Sequence, residues 1–480
     1  MLESNLQLKV LTKEQVGTIY EKCLDFLSNK GIKVTHQEGL RIFDQAGAQV
    51  DFDNHQVRFS RDIVEEALSS VPREFILASC DGQPDLPIPH PDGLFYRLGL
   101  TGAPEYLKPG SNTTRDVTLD DVTEWAQLLQ ALKGISLCAT PFPTDAPLEI
   151  ADICGIKRVF ENSTKHVMCH PYSYGSLEYL IELGKVVAGG NEALRQKPLI
   201  SMIICSVPPF LFKDMDIEGI ILSARAGVPM HLFPLPLMAA SAPVTVTGTI
   251  LQNGIEILAM LVMSQLVEPG AKVFGAPFAF ALDMVSGRNL QESVATIMAN
   301  AGSVQFVNEA FHIPTHNEPG TDSHIPDGHA QVEKSLSGLM VSRAGADILG
   351  GAGQLDVIRV MSPLQLIIDD ALVSVFERLN SPVKTDDENL AWQEILDIEP
   401  GGAYLELRHT LKHCRETLRP ELLATWSRDT WVSKGSKDLH ARALDKYQEL
   451  KKTMKPLDLP AEVHKGLNEV ESQARKQLVK

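Results

Sequence analysis

Basic charge, aromatic side chains and paired cysteines are all scarce in this 480-residue chain. Lys and Arg number 44 against 61 Asp and Glu, a formal net charge of −17 that argues against a nucleic-acid partner, because phosphate binding needs a basic face. The seven cysteines lie scattered with no Cys-x-x-Cys pair, which suits a reducing compartment and provides no zinc framework. Long hydrophobic runs are missing too. The most apolar helical stretch, Ile257–Met263, is bracketed by Glu256 and Gln265, far short of the ~20 residues a membrane span needs. The opening residues MLESNLQLKVLTKEQ do not follow the charged-then-apolar order of a signal peptide. A soluble, cytoplasmic protein without membrane contact is therefore expected. What is present is an ordinary globular mixture, 44% apolar and 22% charged, that can build a large core.

The organising signal is an alternation between residues 93 and 380. Short apolar or β-branched runs read as strands at 93–100, 135–140, 165–170, 198–205, 229–235, 271–280, 310–315 and 346–351. Helical periodicity fills the gaps. The first helix opens at Thr118, an N-cap followed by first-turn acids, and turns Val122, Trp125, Leu128, Leu129 and Leu132 inward. Further helices are expected at 148–161, 176–187, 215–226, 247–266, 291–302, 328–344 and 363–379. Eight strands alternating with eight helices over this length fit an α/β fold of the (β/α)8 TIM-barrel type. A doubly wound open sheet is the alternative, but no G-x-G-x-x-G follows a strand; Gly350–Gly353 is the nearest approach. Three regions follow: an N-terminal α/β extension (1–92), the catalytic barrel (93–380) and a charged C-terminal helical segment (381–480). The extension should hold helices at 14–30 and 61–70, the second capped by Ser60, and a proline-punctuated connector at 81–92. Residues 451–480 read as a loose arm.

Barrel active sites are built from loops that follow the strand C-termini, so position filters the candidates. Those loops concentrate aromatics, although the chain is only 6% aromatic. After the seventh strand, THNEPGTDSHIPDGH gathers His316, Glu318, Asp322, His324, Asp327 and His329; after the fifth, PLMAASAPVTVTG is built of small residues. Each feature also has an ordinary explanation. Barrel-end rings commonly lid the core. His312 and His316 share a face of an extended segment but lie far apart, and no H-x-x-x-H sits on a barrel helix, so no metal is expected. His409 and His413 read as a surface helix pair. No G-x-S-x-G marks a nucleophile, and Cys169 or Cys205 at a strand end reads as a buried small hydrophobe. A Schiff-base lyase or aldolase would want a lysine near the mouth, whereas Lys165 and Lys272 lie at strand N-termini.

Three stretches in order, Pro236–Thr245, Asp283–Gly287 and Gly320–Asp327, give the chain its resemblance to the trimethylamine methyltransferase family. Such enzymes pass a methyl group from a methylated amine to a cobalamin-carrying protein. The family's trimethylamine enzymes carry pyrrolysine at a position that the resemblance puts near Gly320-Thr321, where this chain has only standard residues. That departure points to the pyrrolysine-free branch, which acts on quaternary amines such as glycine betaine. The resemblance thus implies a Co(I) corrinoid, carried by a cognate corrinoid protein, as methyl acceptor, a quaternary amine as substrate and a homo-oligomer. A quaternary nitrogen leaves as a neutral tertiary amine, so the protein must orient, dehydrate and recognise charge. Aromatic faces suit such a cation. On loop position, Tyr96, Phe142, Tyr172, Phe278 and Phe280 are cage candidates. His316 or His324 would meet a betaine carboxylate, and Asp322 would orient a histidine or face the ammonium. Met238, Ala239, Ala240 and Ser241 would leave room for a corrin ring. Asp322 and His324 are the catalytic candidates. A non-catalytic betaine-binding protein is the remaining alternative.

Overall fold

The computed structural model describes residues 9–81, 84–414, 416 and 420–479. Its centre is an eight-stranded sheet of β1 (Tyr96–Gly99), β2 (Leu137–Cys138), β3 (His166–Cys169), β4 (Ile200–Cys205), β5 (Met230–Phe233), β6 (Val273–Gly275), β7 (His316–Asn317) and β8 (Ile348–Ala352). The spatial order is β6-β5-β4-β3-β2-β1-β8-β7, and every pairing is parallel. A bridge between Gly275 and Thr315 brings β6 to β7, and Gly275 N–H donates to the Pro314 carbonyl at 2.9 Å. The sheet therefore closes on itself, which disposes of the open-sheet alternative.

Side-chain alternation within the strands separates two apolar clusters. Leu98, Leu137, Met168, Ile203, Phe233, Phe274 and Ile348 fill the lumen. Val167, Ile200, Met202, Met230, Leu232 and Val273 face outward to the helices. Those helices are α1 (Leu119–Ala131), α2 (Ala151–Asn162), α3 (Leu177–Ala188), α4 (Asp214–Ala226), α5 (Val246–Val267), α6 (Val294–Phe311), α7 (Gly328–Arg343) and α8 (Pro363–Asn380). Thr118 caps α1 with a full capping box, as the sequence implies.

The seventh unit differs from expectation. α6 runs nine residues past the expected end, through Phe311, and His312 in the left-handed region (φ 55°) stops it. Ala310 and Phe311 thus belong to a helix, where Phe311 packs against Tyr20 and Phe306. A short apolar run cannot be told from a buried helix end by periodicity alone. The strand begins later, and His316 sits in it rather than in the loop. α5 also exceeds its expected apolar stretch. By length and composition it is the one helix, among the described residues, that could cross a membrane, yet 83% of its apolar window is buried inside the protein. Inside it, Asn253 Nδ2 donates to Ser303 Oγ at 3.1 Å and Gln252 Nε2 to Glu256 Oε1 at 3.1 Å, while Asn253 Oδ1 is buried without a partner.

The N-terminal extension covers one flank of the barrel and, through a hairpin, closes its lower end. Its first helix, Lys13–Asn29, packs on α5, and its strand Ile32–Val34 pairs in parallel with Leu211–Phe212 from the loop after β4. A hairpin of Phe75–Leu77 and Leu86–Ile88 sends Phe75, Leu77, Leu86 and Ile88 into the lumen cluster. Ala78 N–H then donates to the Pro198 carbonyl at 2.9 Å, at the N-terminal end of β4. The expected connector at 81–92 therefore contains a strand; its residues 82 and 83 lie outside the described residues.

The C-terminal arm is docked rather than loose. Helix Ala461–Leu478 buries Leu467, Val470 and Ala474 against α2 and α3, and Lys157 Nζ reaches Glu471 at 2.8 Å and Asn468 at 2.5 Å. His409 and His413 stack on a short surface helix at 4.3 Å, as a surface pair would.

Candidate active site

Above the plugging hairpin, a chain of polar groups crosses the lumen. His166 Nδ1 lies 3.2 Å from the Ala78 carbonyl, and its Nε2 lies 3.0 Å from Ser201 Oγ. Ser201 Oγ is 2.9 Å from His231 Nε2, and His231 Nδ1 is 3.1 Å from His316 Nδ1. The Ala78 carbonyl can only accept, which fixes every proton in the chain. His166 donates from Nδ1, Ser201 donates to His166, His231 donates from Nε2, and His316 donates from Nδ1. His316 Nε2 is thereby left with a lone pair. Burial keeps these rings neutral: His166 is lowered to about 4, His316 to about 3, and His231 well below its ordinary value.

That lone pair faces Glu318, the first residue beyond β7. His316 Nε2 and Glu318 Oε1 lie 3.8 Å apart, and neither atom has a hydrogen-bond partner. With Glu318 ionised, two acceptors thus confront each other with no donor between them. Glu318 is buried, and desolvation raises its carboxyl to about 7 although Arg97 and Lys334 pull the other way. Those cations are engaged behind β8. Arg97 donates to the Leu349 and Gly350 carbonyls at 3.1 and 2.5 Å, and Lys334 Nζ lies 3.0 Å from Asp369.

Aromatic rings surround the upper lumen. Phe233 lies 5.0 Å from His316 and 6.3 Å from Phe278, which lies 4.7 Å from Phe280. At the ends of β2 and β3, Phe142 meets Tyr172 edge-on at 4.8 Å, and His170 lies 5.1 Å from Tyr172. The Tyr172 hydroxyl is buried without a hydrogen-bond partner. Burial raises its pKa, so it is a phenol that can donate, and its hydroxyl lies beside the side chains of Thr140 and Thr101.

The candidates from sequence therefore divide. Phe142, Tyr172, Phe278 and Phe280 stand at the C-terminal ends of the strands. Tyr96 does not: it begins β1, pairs with Ile348 and packs on His90 at 4.8 Å, at the lower end of the barrel. The strand there starts three residues later than the apolar run. His316 is in the lumen but is neutral and already donates to His231, so it supplies no positive charge to a carboxylate. His324 is exposed on the rim, where Nδ1 pairs with Asp356 at 2.9 Å. Asp322 accepts the backbone N–H of Gln291 at 2.7 Å and of Glu292 at 3.4 Å, so its carboxylate fastens the start of α6 to the loop after β7. Met238 is buried, paired with Ala281 beside Phe280, while Ala239 turns with φ 71° and Ala240 is exposed. Lys165 is engaged by the carbonyls of Leu132 and Ile135 at 2.7 and 2.6 Å, away from the mouth. Among the described residues no three His, Cys, Asp or Glu converge as a metal site requires.

Gly320 sits tightly between two glutamine side chains, which any larger residue would have to displace. Its N–H donates to Glu292 Oε1 at 2.6 Å, and a Cβ would stand 2.1 Å from Gln291 Nε2 and 2.3 Å from Gln354 Nε2. A model of the trimethylamine methyltransferase (MTTB) family matches residues 2–478. The chain belongs to this family. It is a methyltransferase. Among relatives, trimethylamine methyltransferase MttB of Desulfitobacterium hafniense is 27% identical over 459 residues, covering 95% of this chain and 92% of its own. A glycine betaine methyltransferase of the same species is 26% identical over 477 residues, covering 98% of each. The crystal structure of Methanosarcina barkeri monomethylamine methyltransferase, MtmB, shares the fold, with a TM-score of 0.52 at 13% identity over 97% of this chain and 93% of that one.

Sequence reasoning missed the charged floor of the site. Glu318 entered only as part of a ligand pool, and Glu292, Arg97, Lys334 and Asp369 did not enter at all. A signal was present: Arg97 interrupts the apolar run FYRLGL, and Asp369 interrupts LIIDDAL. A charge inside a strand or on the buried stripe of a helix needs a partner nearby.

Proposed function

We propose that the chain transfers a methyl group from a carboxylated quaternary amine of the glycine betaine type to the Co(I) of a corrinoid protein. The observation that carries this reading is a dehydrated aromatic floor, Phe233, Phe278 and Phe280, that rises opposite Phe142 and Tyr172 at the barrel mouth. Ring faces attract a fixed cation by about 0.5–2 kcal/mol each. Tyr172, a buried phenol beside Thr140 and Thr101, supplies the donor for a carboxylate, a role in which it replaces His316 and His324. The glycine betaine methyltransferase among the relatives supports the same substrate class. So do the standard residues Gly320 and Thr321, near which the resemblance places pyrrolysine in trimethylamine enzymes.

The corrinoid, when its carrier docks, supplies the Co(I) that takes the methyl carbon. The chain's own residues hold the amine in line, exclude water and leave the departing nitrogen its electron pair, so no proton is required. Small side chains at Ala239, Ala240 and Ser241, beside the Phe280 strand, fit the approach of a flat macrocycle. Asp322 acts at one remove by fixing the loop. A reducing cytoplasm is supported by seven free cysteines. A homo-oligomer is supported by the exposed apolar side chains Val383, Leu405 and Leu411, which a second copy would cover; sedimentation velocity would then report a species larger than one chain.

The test is a panel of methylated amines with reduced corrinoid protein or free Co(I) cobalamin, followed by the spectral change on methylation. Glycine betaine or a close carboxylated relative should turn over, while trimethylamine and dimethylamine should not. Rapid trimethylamine turnover would overturn the assignment.

A further inference from the structure

Resting on the proposed quaternary-amine reading, we infer that Glu318 is the counter-ion of the substrate's cation, and so the residue by which this barrel recognises permanent positive charge. The geometry is that of a half-built ion site. Glu318 Oε1 is buried, unpartnered and aimed into the lumen, and the neighbouring His316 Nε2 is a second buried acceptor without a donor. The proton order imposed from Ala78 upward prevents His316 from turning a donor toward the carboxylate. A cation entering from the mouth would meet both lone-pair-bearing atoms at once. Phe233, 5.0 Å from His316, adds a ring beside the same space.

Charge balance leads to the same residue. The groups that act on Glu318 are Arg97 from β1 and Lys334 from α7, with His316 on its own strand and Cys205 across the lumen on β4. Arg97 and Lys334 in turn face Asp369 on α8 and Glu292 at the start of α6. Three buried carboxyls, Glu318, Asp369 and Glu292, thus share two buried cations. A bound ammonium would add a third positive charge beside them. Topology sets the rest of the ligand: β3 and β7 stand opposite one another in an eight-stranded barrel. A cation held at Glu318 therefore directs the carboxylate of a betaine across the lumen toward Tyr172. Selection against neutral amines follows, because a methylated amine that sheds its proton on burial no longer meets the carboxylate as a cation.

Tetramethylammonium is the probe, because it isolates the cation half of the substrate and needs no corrinoid partner. Calorimetric titration of the intact protein should give binding that E318Q weakens at least tenfold. E318D, which keeps the charge on a shorter arm, should fall between. Wild-type affinity should rise as pH increases through about 7, the value to which burial raises this carboxyl, and should be flat for E318Q. E318Q should also melt at or above the wild-type temperature, since it removes a buried charge, and this distinguishes lost binding from lost fold. Unchanged affinity in E318Q, or a pH-independent wild type that still demethylates a betaine, would overturn this inference alone. Failure of tetramethylammonium and of every betaine to bind the wild type would overturn the proposed function with it.

Discussion

His166, His231 and His316 are held neutral by burial, so the folded chain cannot take up the protons that an unfolded histidine accepts below about 6.5. Their folded pKa values are depressed, hence the folded state binds fewer protons and loses stability as pH falls from about 6.5 toward the folded value. Replacing His316 with Asn keeps a donor toward His231 and removes one such group. In urea titrations, the stability of the wild type relative to this variant should decline by about 1.4 kcal/mol per pH unit below about pH 6. Above pH 7 the two should run parallel. Asp322 behaves differently because its oxygens accept backbone N–H groups. Asp322→Ala should lower methyl transfer at least tenfold by freeing the start of α6, while Asp322→Asn, which still offers an acceptor, should retain most activity. If Asn were as damaging as Ala, the carboxylate's charge rather than its anchoring would be at work.

Elements were the most legible level of this sequence. Thr118 and Ser60 announce their helices by capping chemistry, and both caps form as the residue order demands. Six of the eight barrel strands fall inside the apolar runs that suggested them, and β8 overruns its run by one residue, Ala352. The exception at 310–315 failed because AFHIPT carries no marker of its own: its first two residues extend α6, and the left-handed His312 that ends the helix has no glycine to advertise it. That single shift carried His316 from a flexible loop into the lumen, and with it the assignment of a histidine to the substrate carboxylate. The C-terminal helix was misjudged for another reason. Charged residues dominate its sequence, yet Leu467, Val470 and Ala474 recur at helical spacing and face α2 and α3. Leu467→Ala should cost about 2–4 kcal/mol in chemical denaturation, as for any fully buried leucine. A cost within experimental error would restore the loose-arm reading.

On the scale of the whole molecule, the family and the barrel were within reach of the sequence, whereas the charged lumen was not, because its members come from β1, β7, α6, α7 and α8 and meet only after closure. The plug at the lower end has a kinetic meaning. With Phe75, Leu77, Leu86 and Ile88 filling that end, the barrel is a vessel with one opening. Amine, demethylated product and methyl acceptor must all pass or cover the same rim. The traffic is therefore compulsory in its order: the amine enters an uncovered mouth, the acceptor seals it, and the tertiary amine departs only after the acceptor has withdrawn. Initial rates should consequently fall when unmethylated carrier is raised far above its half-saturating level, and added amine should relieve the inhibition competitively. A barrel open at both ends would let the two partners come and go independently, and would give no such queue.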